Sequence, residues 1–142
     1  MNEAEFTTLV IEIDMLPPAK LRLNGRKRGH WRTQVRSTLG SWLWLAKLAM
    51  EPNIHLIPET PWDHVLCHVH FILPSHQRRD PDNYFPGVKE VIDDYIVGYG
   101  IIADDDFTHI SYYVDGEVIP GQSKTIIRIK KQERGIAQWH GD

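Results

Sequence analysis

The 142 residues, with 42% hydrophobic and 25% charged side chains and a formal net charge of −3, match one globular domain and exclude a disordered or fibrous chain. Cys67 is the single cysteine, so an internal disulfide is excluded, and the acidic N-terminus lacks the basic start and long apolar run of a signal peptide. We therefore expect one cytoplasmic domain over residues 1–142, with a weakly ordered tail at 131–142 and no membrane span or membrane partner.

The first half of the chain predicts a strand, a helix and a second strand. Alternating β-branched residues predict the first strand over Thr7–Met15. Apolar residues at helical spacing predict a helix over Trp31–Met50, and the further apolar residues Trp44 and Leu48 predict burial on several faces of its C-terminal half. Strict alternation then predicts the second strand over His64–Leu73.

The second half predicts a helix followed by two strands. Pro74–Asn83 is polar and turn-like, and an apolar stripe predicts a helix over Pro86–Val97. Two strands are predicted over His109–Val114 and Thr125–Lys130, with turn signals between them at Asp115–Gly116 and Pro120–Gly121. The order β-α-β-α-β-β predicts a single small domain of the α/β (α+β) class, in which two main helices pack on a mixed sheet.

The charge is distributed unevenly along the chain. Residues 15–50 contain eight Lys and Arg and no Asp or Glu, which gives +8 against −11 for the remainder. A local positive potential of this kind favours a nucleic-acid partner, and a solvated basic face that binds nothing is the alternative. The residues expected to hold DNA phosphates are Arg26, Lys27, Arg28, Arg32 and Arg36. His30 could stack on the nucleic acid together with Trp31, although a core position is the favoured interpretation for Trp31.

A second segment, Arg78 to Asp106, is acidic and carries a net charge of −5. Its Asp80-Pro81-Asp82 sequence, if extended, would project two carboxylates to the same side. Oxygen ligands of this kind suit Mg²⁺. Asp104 or Asp105 would complete the site if the chain turned back after the second helix, and ordinary turns without a metal are the alternative for each piece taken alone.

The pattern Arg79-Asp80-Pro81-Asp82-Asn83, then Lys89 and Asp93 four residues apart, then Gly100 and the pair Asp104-Asp105, resembles the RusA family of Holliday-junction resolvases, widespread in phages and prophages. The similarity extends over most of the chain from about Pro17 to Ile110. Lys89 follows Asp82 by seven residues, whereas four separate the corresponding residues in the best-known member of the family.

The resemblance implies a RusA-like fold, a structure-specific endodeoxyribonuclease and a homodimer that cuts four-way DNA junctions in recombination and repair. Asp80, Asp82 and Asp105 would be the catalytic acids and, with Asp104, the ligands of Mg²⁺, for which Mn²⁺ can substitute; Lys89 would be the catalytic lysine. Arg79 joins the predicted DNA-binding residues, and no organic cofactor is expected. A dimeric DNA-binding module that does not cut, and a nuclease that prefers flaps, forks or duplex, are the alternatives.

Histidine and cysteine are two further residue types that can bind metals. His68 and His70 share a strand face, which is also a geometry for two zinc ligands. A half-exposed strand face is the favoured interpretation, because no third ligand has suitable spacing in the sequence. Cys67 points to the opposite face and is expected to be a small buried hydrophobe.

Overall fold

The computed structural model describes residues 8–19, 28–77 and 79–132, and within residues 28–37 it describes the backbone alone. Four strands form one mixed sheet in the order β1-β4-β2-β3: β1 is Thr8–Ile13, β2 Val65–Leu73, β3 Ile110–Val118 and β4 Lys124–Lys131. Helix α1 is Arg28–Met50 and helix α2 is Pro81–Val91, and each is followed by a short helical segment, at Glu51–Leu56 and Ile92–Val97. The predicted α+β class and element order are therefore confirmed.

Strand alternation divides the sheet into two faces of different character. One face carries side chains that are wholly or almost wholly buried beneath the helices, among them Leu9, Ile11, Val65, Cys67, Val69, Ile127 and Ile129. The other, which we call the histidine face, carries the side chains His68, His70, Tyr113, Asp115, Glu117 and Arg128. The division predicted for β2 is confirmed, with Cys67 fully buried on the core face.

Helix α1 packs on the core face through a single stripe. Trp42 and Ala46 are fully buried, whereas Trp44 is 57% and Leu48 42% exposed. The prediction of burial on several faces was wrong, because a helix lying on a sheet contacts it along one side only. Of the helices in the described parts of the chain, none has the length and apolar character needed to cross a bilayer.

Helix α2 begins earlier than predicted. It starts at Pro81, with Asp80 at the N-cap position, and Pro86 lies inside it rather than in its first turn. Proline suits the first helical position because its missing N–H would have no partner there. Pro81 and Pro86 are therefore both suitable first residues, and the helix begins at the earlier one. The predicted end at Val97 is correct only if the following Ile92–Val97 segment, which is a π-helix, is counted with α2.

Strand β3 also extends further than predicted, through Asp115 and Gly116. The predicted turn there was wrong because β3 pairs with β2 in parallel as far as Leu73 opposite Val118, and this pairing satisfies its backbone. The connection to β4 turns at Pro120–Gly121, where Gly121 has a φ of +79°, so the second predicted turn is confirmed. It crosses the end of β2, so that β4 lies on the other side of β2 and pairs with it antiparallel.

Candidate acidic active site

The N-terminus of α2 carries the first two predicted metal ligands. Asp80 is extended, with φ −95° and ψ 133°, and its carbonyl oxygen accepts a hydrogen bond of 3.0 Å from the Asn83 N–H. Asp82 lies in the first helical turn, where a negative charge is favourable towards the helix dipole. The prediction of an extended Asp-Pro-Asp segment was wrong, because the helix begins at Pro81 between the two acids. Both side chains are exposed.

The chain turns back after α2, as the predicted site requires. Gly100 adopts a φ of +77°, a conformation that residues with a Cβ rarely adopt. Ile101 and Ile102, which follow it, are fully buried, and the Ile101 N–H donates to the Ile96 carbonyl at 2.9 Å. The Ile101 carbonyl in turn accepts from the Trp62 N–H at 2.7 Å. These contacts fix the position of the aspartates that come next.

The return brings together what we call the acidic cluster: Lys89, Asp93, Asp104 and Asp105. The Lys89 ammonium forms an ion pair with Asp105 Oδ2 across sixteen residues of sequence. Asp93, one helical turn after Lys89, is hydrogen-bonded to Asp105. The Asp105 N–H donates to Asp104 Oδ1 at 2.8 Å. The other three groups thus all contact Asp105.

The neighbouring carboxyl groups of Asp93 and Asp105 have pKa values shifted in opposite directions. Burial, followed by the hydrogen bond with Asp105 and its charge, raises the pKa of Asp93 to about 6. The Lys89 ammonium, followed by the hydrogen bond with Asp93, lowers the pKa of Asp105. Asp105, which contacts the Lys89 ammonium, therefore loses its proton more readily than Asp93 does.

Tyr112 lies on the core face of β3 beside this cluster. Its ring packs edge-on against Phe85 of α2 at a centroid separation of 5.0 Å. Burial, and next the charges of Cys67, Asp105 and Asp93, raise the pKa of the Tyr112 hydroxyl. Among the described residues this buried hydroxyl has no hydrogen-bond partner.

Carboxylate oxygens are the correct chemistry for Mg²⁺, but the predicted ligands are spread along α2. Seven helical positions separate Asp82 from Lys89, about 10 Å along the axis, on nearly the same azimuth. Among the described residues, no three of the predicted aspartate ligands have oxygens that all lie within 4.8 Å of one another. Asp105 contacts Lys89 near the end of α2, whereas Asp80 and Asp82 lie at the start of this helix.

The predicted DNA-binding residues are only partly covered by the structure. Arg26 and Lys27 lie outside the described residues, and Arg28, His30, Arg32 and Arg36 lie in the part of α1 whose side chains are not described. The Arg79 guanidinium donates to the carbonyl oxygens of Ser75 at 2.9 Å and Gln77 at 3.1 Å. Arg79 therefore braces the loop before α2, and it also borders a cleft of about 240 Å³.

The residues that sequence reasoning missed are Asp115 and Glu117 on the histidine face. Asp115 Oδ1 accepts hydrogen bonds from His68 Nε2–H at 2.9 Å and from His70 Nδ1–H at 2.7 Å. Glu117 Oε2 accepts from His70 Nε2–H at 2.7 Å. Because Asp115 was assigned to a turn, its position opposite His70 in the parallel register was not predicted.

Neither a model of a known protein family nor a curated protein matches this chain. The resemblance to the RusA family therefore depends on the motif residues themselves, and a functional proposal depends on the geometry that they adopt.

Proposed function

We propose that this protein is a magnesium-dependent, structure-specific endodeoxyribonuclease of the RusA type that resolves four-way DNA junctions. The observation that carries the proposal is the acidic cluster. Folding places Lys89 in contact with Asp105, and Asp93 is hydrogen-bonded to the same carboxylate. Lys89 and Asp93 precede the reversal of the chain at Gly100, whereas Asp105 follows it. An ordinary turn or a solvent-facing lysine would not account for this convergence.

Asp80, Asp82, Asp104 and Asp105 supply only hard oxygen ligands, and these are the residues that would hold Mg²⁺. Because no three of these four carboxylates, all of them in the described part of the chain, lie within 4.8 Å of one another, the proposal requires the N-terminus of α2 and the Asp104-Asp105 segment to approach each other around the ion. Bound there, the ion would supply an activated water and neutralise charge on the phosphate oxygens. Hydrolysis adds water across the phosphorus–O3′ bond and leaves 5′-phosphate and 3′-hydroxyl ends.

The chain's own residues supply positioning and charge. Lys89 has a side chain that is 34% exposed, so its ammonium can contact a phosphate while its stem leans towards the N-terminus of α2. In that position it stabilises negative charge that develops on the nonbridging oxygens.

Resolution of a junction requires cuts on two opposed strands, whereas each chain carries one acidic cluster. A homodimer with two-fold symmetry would place two such sites on the two-fold-related strands. The basic residues from Arg26 to Arg36 would hold the backbone phosphates of the branched DNA. The proposal places the protein in the cytoplasm, where such DNA is found in a bacterial or phage-infected cell.

The test is to incubate the protein with a synthetic mobile four-way junction and Mg²⁺. We expect symmetric nicks on opposed strands whose ends can be ligated. Junction that is retarded in a gel but never cut would identify a binding module instead. Faster cleavage of flap, fork or duplex DNA in direct competition would assign a different structural preference.

Asp82→Asn is the critical variant. We expect it to abolish cleavage and to leave junction binding intact or stronger, because a ligand charge and an anionic repulsion towards DNA are both removed. Asp94→Asn is the matched control, since Asp94 is also an exposed acid close to α2 but lies outside the motif. Near-normal turnover by Asp82→Asn, measured under single-turnover conditions, would refute the site.

A further inference from the structure

The histidine face carries a group of side chains that the proposed nuclease chemistry does not use. It consists of His68 and His70 on β2 and Asp115 on the neighbouring strand β3. One nitrogen from each histidine and a carboxylate oxygen from Asp115 all lie within 4.8 Å of one another. Among the described residues, these are the three metal-binding side chains whose ligand atoms come this close together.

The backbone creates this convergence. Residues two apart on β2 project to the same face, and the parallel register places Asp115 directly opposite His70. Both histidines then direct a ring nitrogen at the same oxygen, Asp115 Oδ1, from 2.9 Å and 2.7 Å. The His68 ring is further held by Tyr113, at a centroid separation of 5.0 Å.

We propose that His68 Nε2, His70 Nδ1 and Asp115 Oδ1 form a binding site for a transition-metal ion of the zinc class. Two imidazole nitrogens and one carboxylate suit Zn²⁺ and are not the oxygen-only set that Mg²⁺ prefers. A tetrahedral zinc ion holds its ligand atoms about 3.3 Å apart. The present separations of 2.7 and 2.9 Å would each have to widen by roughly half an ångström, with the ion replacing the two N–H protons.

Glu117 supplies the support that such sites generally have. A histidine that binds zinc through one nitrogen usually donates its other N–H to a carboxylate, which fixes the orientation of the ring. His70 Nε2–H donates to Glu117 Oε2 at 2.7 Å, while its Nδ1 faces Asp115. Ion pairs between histidines and carboxylates do not require two imidazole rings to point at the same oxygen, whereas a shared metal ion requires its ligands to converge on one point.

The site is accessible and separate from the acidic cluster. The side chains of His68 and Asp115 are 28% and 37% exposed, which leaves an entry path and room for a water as fourth ligand. Tyr112 lies on the core face of β3 and packs on Phe85 of α2, the helix that carries Lys89, whereas its neighbour Tyr113 lies on the histidine face, so the sheet separates the two sites. The inference therefore does not depend on the proposed nuclease activity.

The experiment measures zinc uptake by the full chain without a polyhistidine tag, by isothermal titration calorimetry and by metal analysis after dialysis. We expect one Zn²⁺ per chain. His68→Gln, His70→Gln and Asp115→Asn should each weaken binding by more than about 100-fold, and Glu117→Gln, which removes only the supporting carboxylate, by about 10- to 100-fold. Co²⁺ in place of Zn²⁺ should give the intense visible bands of a tetrahedral site.

His55→Gln is the matched control, because His55 is an exposed histidine in the Glu51–Leu56 segment. It should bind zinc like the unaltered chain. Absence of uptake, or uptake that the three ligand variants leave unchanged, would overturn the proposal. The proposal would also be overturned if Asp105→Asn abolished zinc binding while His70→Gln retained it, because the ion would then be bound at the acidic cluster. Because Glu117 is exposed, its variant and the Co²⁺ spectrum test the site even if a ligand variant fails to fold.

Discussion

At the residue scale, Asp106 shows how one exposed carboxylate can shape a loop. Its Oδ1 accepts hydrogen bonds from the Thr108 N–H at 3.0 Å, the Thr108 hydroxyl at 2.6 Å and His109 Nδ1–H at 2.6 Å. The hydrogen bonds from Thr108 and then from His109 lower its pKa to about 2. The charged form of Asp106 is therefore the one that stabilises the turn leading into β3.

This depressed pKa has a defined consequence for stability. A carboxyl group whose pKa is lower in the folded than in the unfolded chain stabilises the fold above the unfolded value, 3.8, and the contribution is lost as the pH falls from there towards 2. We expect Asp106→Asn to be less stable than the unaltered chain above this window, with the difference shrinking inside it. Urea denaturation across the range measures the effect, and Glu59→Gln, which removes another exposed carboxylate, should not reproduce it. A constant difference at every pH would contradict this role of Asp106.

At the scale of elements, the crossing of α1 and α2 holds the helix that carries Asp82 and Lys89. The Trp42 indole N–H of α1 donates to the Gly87 carbonyl of α2 at 2.8 Å. Gly87 permits this approach because it has no side chain. A Cβ there would lie 2.7 Å from Pro17 Cβ and 3.4 Å from Trp42 Nε1.

We predict that Gly87→Ala lowers the free energy of unfolding by about 1–3 kcal/mol, because the overpacking outweighs the better helix propensity of alanine. The matched control is Gly40→Ala in α1, where a Cβ would have no neighbour within 4 Å. That substitution should raise the stability by about 0.5–1 kcal/mol. Urea unfolding of both variants provides the measurement, and a Gly87→Ala protein as stable as the Gly40→Ala protein would exclude the tight crossing.

The same scale explains what the sequence could and could not predict. Local periodicity was sufficient for β2 and for the order of elements, because burial on one face leaves a pattern in neighbouring residues. It failed at Asp115, because the hydrogen bonds that extend β3 come from a strand about 45 residues away. The motif predicted Lys89 and Asp105 as site residues, but their contact also depends on the burial of Ile101 after the turn at Gly100, and no local pattern specifies that packing.

At the scale of the whole molecule, the separation of charge along the chain determines how the proposed enzyme would meet its substrate. The excess of +8 in residues 15–50 would attract the DNA backbone, whereas the acidic segment would repel it unless a cation is bound. Affinity should therefore come from phosphate contacts made by the basic segment, and catalysis from the acidic cluster. DNA binding and DNA cleavage should therefore respond to different substitutions.

We predict that replacing Arg26, Lys27 and Arg28 together with Ala weakens junction binding and flattens its dependence on salt, by roughly one unit of slope for each phosphate that is no longer bound. Binding is measured by titration at several salt concentrations, in Ca²⁺ rather than Mg²⁺ so that the DNA stays intact. Lys130→Ala combined with Lys131→Ala is the control, because it removes two exposed positive charges at the end of β4, outside the basic segment. Cleavage by the triple variant should recover at low salt, where the remaining positive charges are less screened. A salt slope that stays unchanged would show that the segment does not contact phosphate, and the surface that binds DNA would then have to lie elsewhere on the molecule.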